Sequence, residues 1–228
     1  MKQIGVILSG CGVYDGSEIQ ETVFTLLAIA QNNAKAICFA PNINQHHVIN
    51  HLNGDEMEET RNTLVEAARI ARGEIKSLEK FNESDLDALV IPGGFGAAKN
   101  LTTWAFNGPD GEINHEVKKA ILAMHTRNKP ICGLCMAPTV IAKALEKTNA
   151  AIHVSVGTNK DKSPYDIAAI SGGINATGAV AEMKTIHEIC IDTKNKIITA
   201  PCYMMEASIV EVKNNIDEAI SQLFKFIN

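Results

Sequence analysis

One stretch constrains this chain more than any other: Lys129-Pro-Ile-Cys-Gly-Leu-Cys135-Met-Ala-Pro-Thr-Val-Ile-Ala. Residues 130–134 form a short apolar run that reads as a buried strand. Residues 137–145 have the composition of a helix and follow with almost no loop. The chain must therefore turn sharply at Cys135. A side chain at such a joint is pushed out past the end of the sheet, where substrates are met. It also sits at the positive end of the following helix, which favours a thiolate. Cys135 is the candidate nucleophile.

The rest of the chain fits around such a joint. Residues 2–8, 34–40, 86–91, 152–156, 188–192 and 196–200 are strand-like apolar runs, the last two joined as a hairpin by Asp192-Thr-Lys-Asn195-Lys. Helical patterns cover residues 17–32, 55–71, 113–127 and 207–226; in the first, Ile19, Val23, Leu26, Leu27 and Ala30 share one stripe. Gly73 closes the second as a C-terminal glycine does. Strands alternating with helices predict an α/β fold with a mostly parallel sheet covered on both faces. No repeat, low-complexity segment or linker interrupts the pattern, so residues 1–228 are taken as one domain.

Composition excludes several classes. Formal net charge is −5 with no basic stripe, which argues against nucleic acid. No apolar run approaches the roughly 18 residues of a membrane span. The N-terminus reads as a first strand and not as a signal peptide, because polar and acidic residues follow at once. The six cysteines (Cys11, Cys38, Cys132, Cys135, Cys190 and Cys202) are scattered through a long chain, several inside strand-like runs. Reduced thiols in a cytoplasmic protein are the expectation.

In parallel α/β sheets ligands bind beyond the carboxyl ends of the strands. Three features fall there: the loop Ser9-Gly-Cys-Gly-Val-Tyr-Asp-Gly, the run Pro92-Gly93-Gly94-Phe-Gly, and Cys135. A nucleophilic thiol needs a proton acceptor, and donors for the oxyanion it creates. Backbone N–H groups of Gly94 and Met136 are candidates for the second task, with Gly93 beside them. Glu18 and Glu21 lie three residues apart at the start of the first helix, so one face can carry both. The bland reading of that pair is acidic complementation of the helix dipole.

Gly133-Leu-Cys135-Met-Ala-Pro-Thr, with Pro92-Gly-Gly and Glu21-Thr-Val, resembles the PfpI-like superfamily of class I glutamine-amidotransferase-like proteins. Longer runs are similar to its bacterial ElbB branch. They are Ile4-Gly-Val-Ile-Leu-Ser-Gly-Cys-Gly-Val-Tyr-Asp-Gly-Ser-Glu, Glu66-Ala-Ala-Arg-Ile-Ala-Arg-Gly-Glu-Ile, Pro92-Gly-Gly-Phe-Gly-Ala-Ala-Lys-Asn-Leu and Asn195-Lys-Ile-Ile-Thr-Ala-Pro-Cys-Tyr-Met. The resemblance runs nearly the length of the chain and is weakest over residues 152–187. It implies a flavodoxin-like three-layer α/β/α sandwich with a nucleophile elbow. It places Cys135 on the reactive cysteine, Glu21 on the glutamate that hydrogen-bonds it, and Gly93–Gly94 on the loop whose amides face it. It also implies a glyoxalase that needs neither glutathione nor a cofactor and converts glyoxal to glycolate, an association with isoprenoid biosynthesis, and a homodimer.

One departure is plain. Peptidases of this superfamily carry a histidine directly after the cysteine; here Met136 follows. No His-Pro-Glu-like motif lies near the C-terminus, where the strand end reads Ala200-Pro-Cys-Tyr-Met. Peptidase and glutaminase activity are not expected.

The other motifs lead less far. Cys132-Gly-Leu-Cys135 is a C-x-x-C, but Cys132 belongs inside the strand and no second pair completes a zinc site. His46, His47 and His51 cluster, the last two at i,i+4 spacing, and suit a surface loop entering a helix. His187 is the one histidine that could approach the site from the C-terminal half. Cys11 is a possible second active-site thiol. The alternative function is a redox- or carbonyl-sensing module that uses Cys135 without significant turnover; an exposed thiolate oxidises readily.

Overall fold

The protein is described from a computed structural model covering residues 1–148 and 150–227. Its strands are β1 (Gln3–Ile7), β2 (Lys35–Ala40), β3 (Ile75–Ser77), β4 (Ala88–Ile91), β5 (Ile131–Leu134), β6 (His153–Gly157), β7 (Val180–Met183), β8 (Cys190–Asp192) and β9 (Ile197–Ala200). Its helices are α1 (Ile19–Gln31), α2 (Thr63–Ile70), α3 (Trp104–Asn107), α4 (His115–Thr126), α5 (Ala137–Leu145), α6 (Ile167–Ala176) and α7 (Ile209–Ile227). Seven strands form one sheet in the order β3-β2-β1-β4-β5-β9-β8, all parallel except the edge strand β8. β4, β5 and β9 are buried along their whole length, which is why they read as unbroken apolar runs. α1 and α7 pack together on one face, and α4 and α5 on the other. This is the flavodoxin-like three-layer α/β fold.

The β8–β9 hairpin is held at its turn by Asp192, which accepts from the Asn195 backbone at 2.9 Å and from its amide at 2.7 Å. The weakly matching segment, residues 152–187, is a small unit of its own: β6 and β7 pair in parallel around α6. It leans on the main sheet through two backbone donors, His153 to Asp192 (2.9 Å) and Ser155 to Thr199 (2.8 Å).

Several elements differ from the sequence expectation: α3, α6 and β7 were not expected, and two differences lie near the β2 edge. The helix expected over residues 55–71 is formed only over Thr63–Ile70. Asn62 starts it by accepting from Leu64 and Val65, as an N-cap side chain does. Residues 42–62 instead form a loop closed by the bridges Asn44–Asn62 and Ile49–Glu56. The acidic run before Asn62 has no apolar stripe to bury, so local composition could not extend the helix. The i,i+4 spacing of His47 and His51 is therefore not helical. β3 was not expected: three residues with a lysine in the middle give no usable period.

The order of strands reverses beside β1, where β2 lies on one side and β4 on the other. Such a switch point opens a crevice at the strand ends. The loops after β1 and β4 fill its floor and are laced together: Phe95 N–H donates to Val13 O (2.7 Å), Gly96 N–H to Gly16 O (2.9 Å), and Glu18 N–H to Gly93 O (2.9 Å). A π-type turn at Ala97–Leu101 follows, a form common beside functional sites. It presents Asn100, whose amide donates to Ser9 O and Asp15 O (both 2.8 Å) and whose oxygen accepts from His46 N–H (2.9 Å).

Asn100 thus binds the β1 loop, the β4 loop and the 42–62 loop together while buried. Asn100→Ala leaves two carbonyls and one N–H without partners. A loss of at least about 2 kcal/mol is expected, each orphaned buried group costing about 1–3. Urea unfolding of the two proteins measures it.

Candidate active site

The turn into α5 gives Cys135 a left-handed backbone, with φ of 55°. A non-glycine residue there carries strain of order 1–3 kcal/mol and persists only when its surroundings fix it. Here β9 fixes it: Cys135 N–H donates to Ala200 O at 2.9 Å. Cys135 lines the chamber at the crevice and is 6% exposed as a residue.

Glu21 meets it from the first turns of α1 and is fully buried. The carboxyl faces the Cys135 thiol across the Gly93 backbone. Its Oε2 accepts from Gly93 N–H at 3.1 Å and its Oε1 from Tyr203 N–H at 3.2 Å. Glu18, one turn earlier, is the N-cap of α1 and accepts from Glu21 N–H at 2.6 Å. The two acids therefore divide their tasks. Glu18 caps the helix and Glu21 reaches the sulfur.

The glycine pair is required sterically. A Cβ on Gly93 would lie 2.4 Å from Cys135 Cβ and 2.7 Å from Glu21 Oε2. Gly94 has φ of +96°, and a Cβ there would strike Gly16 O and Glu18 N at 2.4 Å. Their amides also differ: that of Gly93 is occupied by Glu21, whereas those of Gly94 and Met136 face the Cys135 sulfur.

Burial dominates the electrostatics. It pushes Glu21 up to about 8, helped by the charge of Glu18 and opposed by the Tyr203, Cys135 and Gly93 hydrogen bonds. Burial and the Glu21 charge hold the Cys135 thiol well above its ordinary value, against the Gly94 and Met136 amides. This reverses the expectation that the helix end alone keeps a thiolate. The helix field falls off quickly and amounts to about 1 kcal/mol, less than the desolvation of a buried sulfur beside a carboxylate. The two groups titrate as a pair, which sheds its first proton at about pH 8.

The chamber over the sulfur is lined by Val13, Glu18, Phe95, Tyr165, Tyr203 and Met204, with the glycine and elbow backbone. None of these is a histidine, and the residue after Ala200-Pro201 is Cys202. That cysteine also has left-handed backbone (φ 49°) and is held by Asn215, which accepts its N–H at 3.1 Å. His187 faces Glu211 at 3.8 Å. Cys11 lies beside Glu66 and Arg69 and does not line the chamber. Cys132 is inside β5, unpaired, and pushed to about 12 by burial. His46 and His47 pack on Phe106, and among the described residues no three His, Cys, Asp or Glu side chains gather as metal ligands.

Sequence reasoning missed Tyr203 and Tyr165. The first had a signal, since it follows the strand end where a histidine was sought. The second lies in the weakly matching 152–187 region and had none.

Known proteins repeat this arrangement of elements. No family model matches the chain. It is 39% identical over 227 residues to the human "Glutamine amidotransferase-like class 1 domain-containing protein 3, mitochondrial", spanning 98% of this chain and 82% of that protein. The rat "ES1 protein homolog, mitochondrial" is 38% identical over 98% of this chain and 83% of its own length. The chain belongs to this ES1, class I glutamine amidotransferase-like family. A solved structure of an "isoprenoid biosynthesis protein with amidotransferase-like domain" from Ehrlichia chaffeensis matches with a TM-score of 0.90 at 34% identity, over 100% of both chains. Drosophila melanogaster DJ-1beta, at 13% identity and a TM-score of 0.54, shares the fold. The mammalian members are named mitochondrial; in this member, among the described residues, no helix is long and apolar enough to cross a membrane.

Two outcomes test the pair. Alkylation of Cys135 by iodoacetamide should rise about tenfold per pH unit below 8 and level off above it, and Glu21→Gln should remove that inflection. Glu21 binds its proton more tightly folded than unfolded. Stability it confers is complete below about pH 4.3 and is lost as pH rises towards 8. Glu21→Gln should therefore flatten the stability profile across that window, by about 1.4 kcal/mol per pH unit, measured by denaturant unfolding. Separately, Gly93→Ala should cut Cys135 alkylation at least about tenfold, because its methyl must displace the thiol or the carboxyl; peptide-mapped alkylation rates at one pH check it.

Proposed function

We propose that this protein is a glutathione-independent glyoxalase that converts glyoxal to glycolate with its own thiol. The observation that supports the reading best is the buried Glu21 carboxyl beside the Cys135 thiol, a nucleophile with a proton acceptor at hand and no histidine lining the chamber. As the sulfur attacks an aldehyde carbon, Glu21 takes the thiol proton and a C–S bond forms. The carbonyl oxygen becomes the hemithioacetal oxygen, met by the Gly94 and Met136 amides. Glu21 returns its proton to that oxygen. It then moves a proton from the sulfur-bearing carbon to its neighbour, while the hydroxyl proton passes to the neighbour's carbonyl oxygen, which yields the thioester of the hydroxy acid. Water breaks the C–S bond and releases glycolate and the thiol. The net change is glyoxal plus water to glycolate and a proton. No metal or organic cofactor enters these steps. The ElbB resemblance and the name of the Ehrlichia relative support an isoprenoid-linked setting, for which the site offers no separate chemistry. We extend the resemblance to a cytoplasmic homodimer.

A second reading has one observation in its favour. The chamber over the sulfur is only about 10 Å³, space for no more than about one water. That suits a peroxide-sized reagent and a sensing role.

One experiment separates the two. Purified protein given glyoxal without glutathione should form glycolate, followed by NMR, and Cys135→Ser should lower the rate by at least about a hundredfold. Unchanged turnover in that variant rejects the enzyme reading. Absent turnover combined with selective addition of two oxygens to Cys135 under mild peroxide establishes the sensor.

A further inference from the structure

Two clefts flank the Cys135 chamber, and Tyr165 is a wall of all three spaces. The larger holds about 630 Å³ and is lined by Tyr14, Phe95, Lys99, Phe106, Pro164 and Tyr165, among others. That volume is within the range of small-molecule sites. Phe95 and Tyr165 form an edge-to-face pair, centroids 5.6 Å apart, and both belong to the chamber as well as the cleft. These two rings are the lining that the chamber over the sulfur and the larger space have in common. Tyr165 is half-buried, with one side of its ring open to solvent-filled space in the clefts. Its loop is held from behind: Ser163 Oγ donates to Met204 O at 2.6 Å, and Tyr165 N–H donates to Ser163 Oγ at 2.9 Å. The backbone is fixed, and the ring beyond it is held by its packing on Phe95.

Lys99 gives the cleft its polarity. It donates to Tyr14 O at 2.9 Å and sits 5.5 Å from the Phe95 ring centre. An ammonium has three donors. Asp15 and Glu56 act on it from a distance, and among the described residues no carboxylate lies within salt-bridge reach of its ammonium. Burial outweighs both acids and lowers the Lys99 pKa. A ligand anion would relieve that cost.

We propose that this cleft holds the non-reacting part of a 2-oxoaldehyde larger than glyoxal, an aromatic group between Phe95 and Phe106 with an anionic substituent on Lys99, its carbonyl reaching Cys135 as the Tyr165 ring turns aside. The proposal deepens the glyoxalase reading and rests on it. It accounts for a chamber too small for substrate beside a cleft that is large enough, and it gives the 158–166 loop a task.

The test compares phenylglyoxal with 4-carboxyphenylglyoxal. The carboxylated compound should have the higher kcat/KM by about tenfold, one charge-assisted hydrogen bond being worth about that much. Lys99→Met should abolish the preference and Lys99→Arg should keep it. In the unaltered protein the preference should shrink as salt is raised. A ratio that Lys99→Met does not move overturns the proposal. If no 2-oxoaldehyde turns over, the glyoxalase reading fails but the cleft stays testable. Cys135→Ala should bind 4-carboxybenzaldehyde about tenfold tighter than benzaldehyde by calorimetry, and equal binding overturns it.

Discussion

A buried thiol and a buried carboxyl cannot both carry charge, and the active end of this fold is built around that restriction. Glu21 has no contact with bulk water, and every partner of its side-chain oxygens belongs to a loop at the carboxyl edge of the sheet. Gly93 comes from the end of β4, Tyr203 from the end of β9, and Cys135 from the end of β5. One side chain on α1 thereby joins three strand ends. Its raised pKa is the energetic consequence, because the folded state prefers the proton and sacrifices stability to hold the group near neutrality.

Backbone strain works in the same direction. Cys135 and Cys202 both occupy left-handed backbone, and each is pinned by a hydrogen bond from its own N–H. Neither conformation would persist alone. β9 supplies the acceptor for the first, and Asn215 on α7 the acceptor for the second. The same Asn215 donates to Glu188 O at 3.0 Å, so the end of β9 is tied to the outer hairpin. The sharp joint seen in sequence is therefore held largely from the C-terminal quarter of the chain.

Much of the fold was legible because its signals are local. Unbroken apolar runs marked β4, β5 and β9, and the elbow followed from the missing loop between strand and helix. Residue 21 was harder. Spacing alone left Glu18 and Glu21 equivalent, and only the family resemblance chose between them. The structure gives the reason: the first acid faces the helix end and the second faces inward, a difference set by tertiary packing. The thiol's ionisation was misread for a related cause. A helix dipole is visible in sequence, whereas desolvation depends on what covers the sulfur, and its cover comes from Tyr165, Tyr203 and Phe95, far apart in the chain. Asp55 to Asn62 misled because acidic residues are compatible with a helix and also with a solvated loop.

The lack of a histidine bears on which chemistry suits the site. Peptide and amide cleavage require a group that takes the thiol proton and later gives one to a departing amine, usually steadied by a third side chain. Glu21 has no histidine beside it in the chamber, and its oxygens are held by two fixed N–H groups that leave it little freedom to follow a leaving group. Rearrangement of a dicarbonyl adduct makes a smaller demand. Nothing leaves before the thioester forms, and the proton moves between adjacent carbons of an adduct that stays attached to the sulfur. A single carboxyl that titrates near 8 is matched to that exchange, since general acid–base catalysis is most effective when the catalyst's pKa lies near the working pH. On the proposed reading, a carboxyl held by fixed amides beside the sulfur suits the movement of one proton over a short distance.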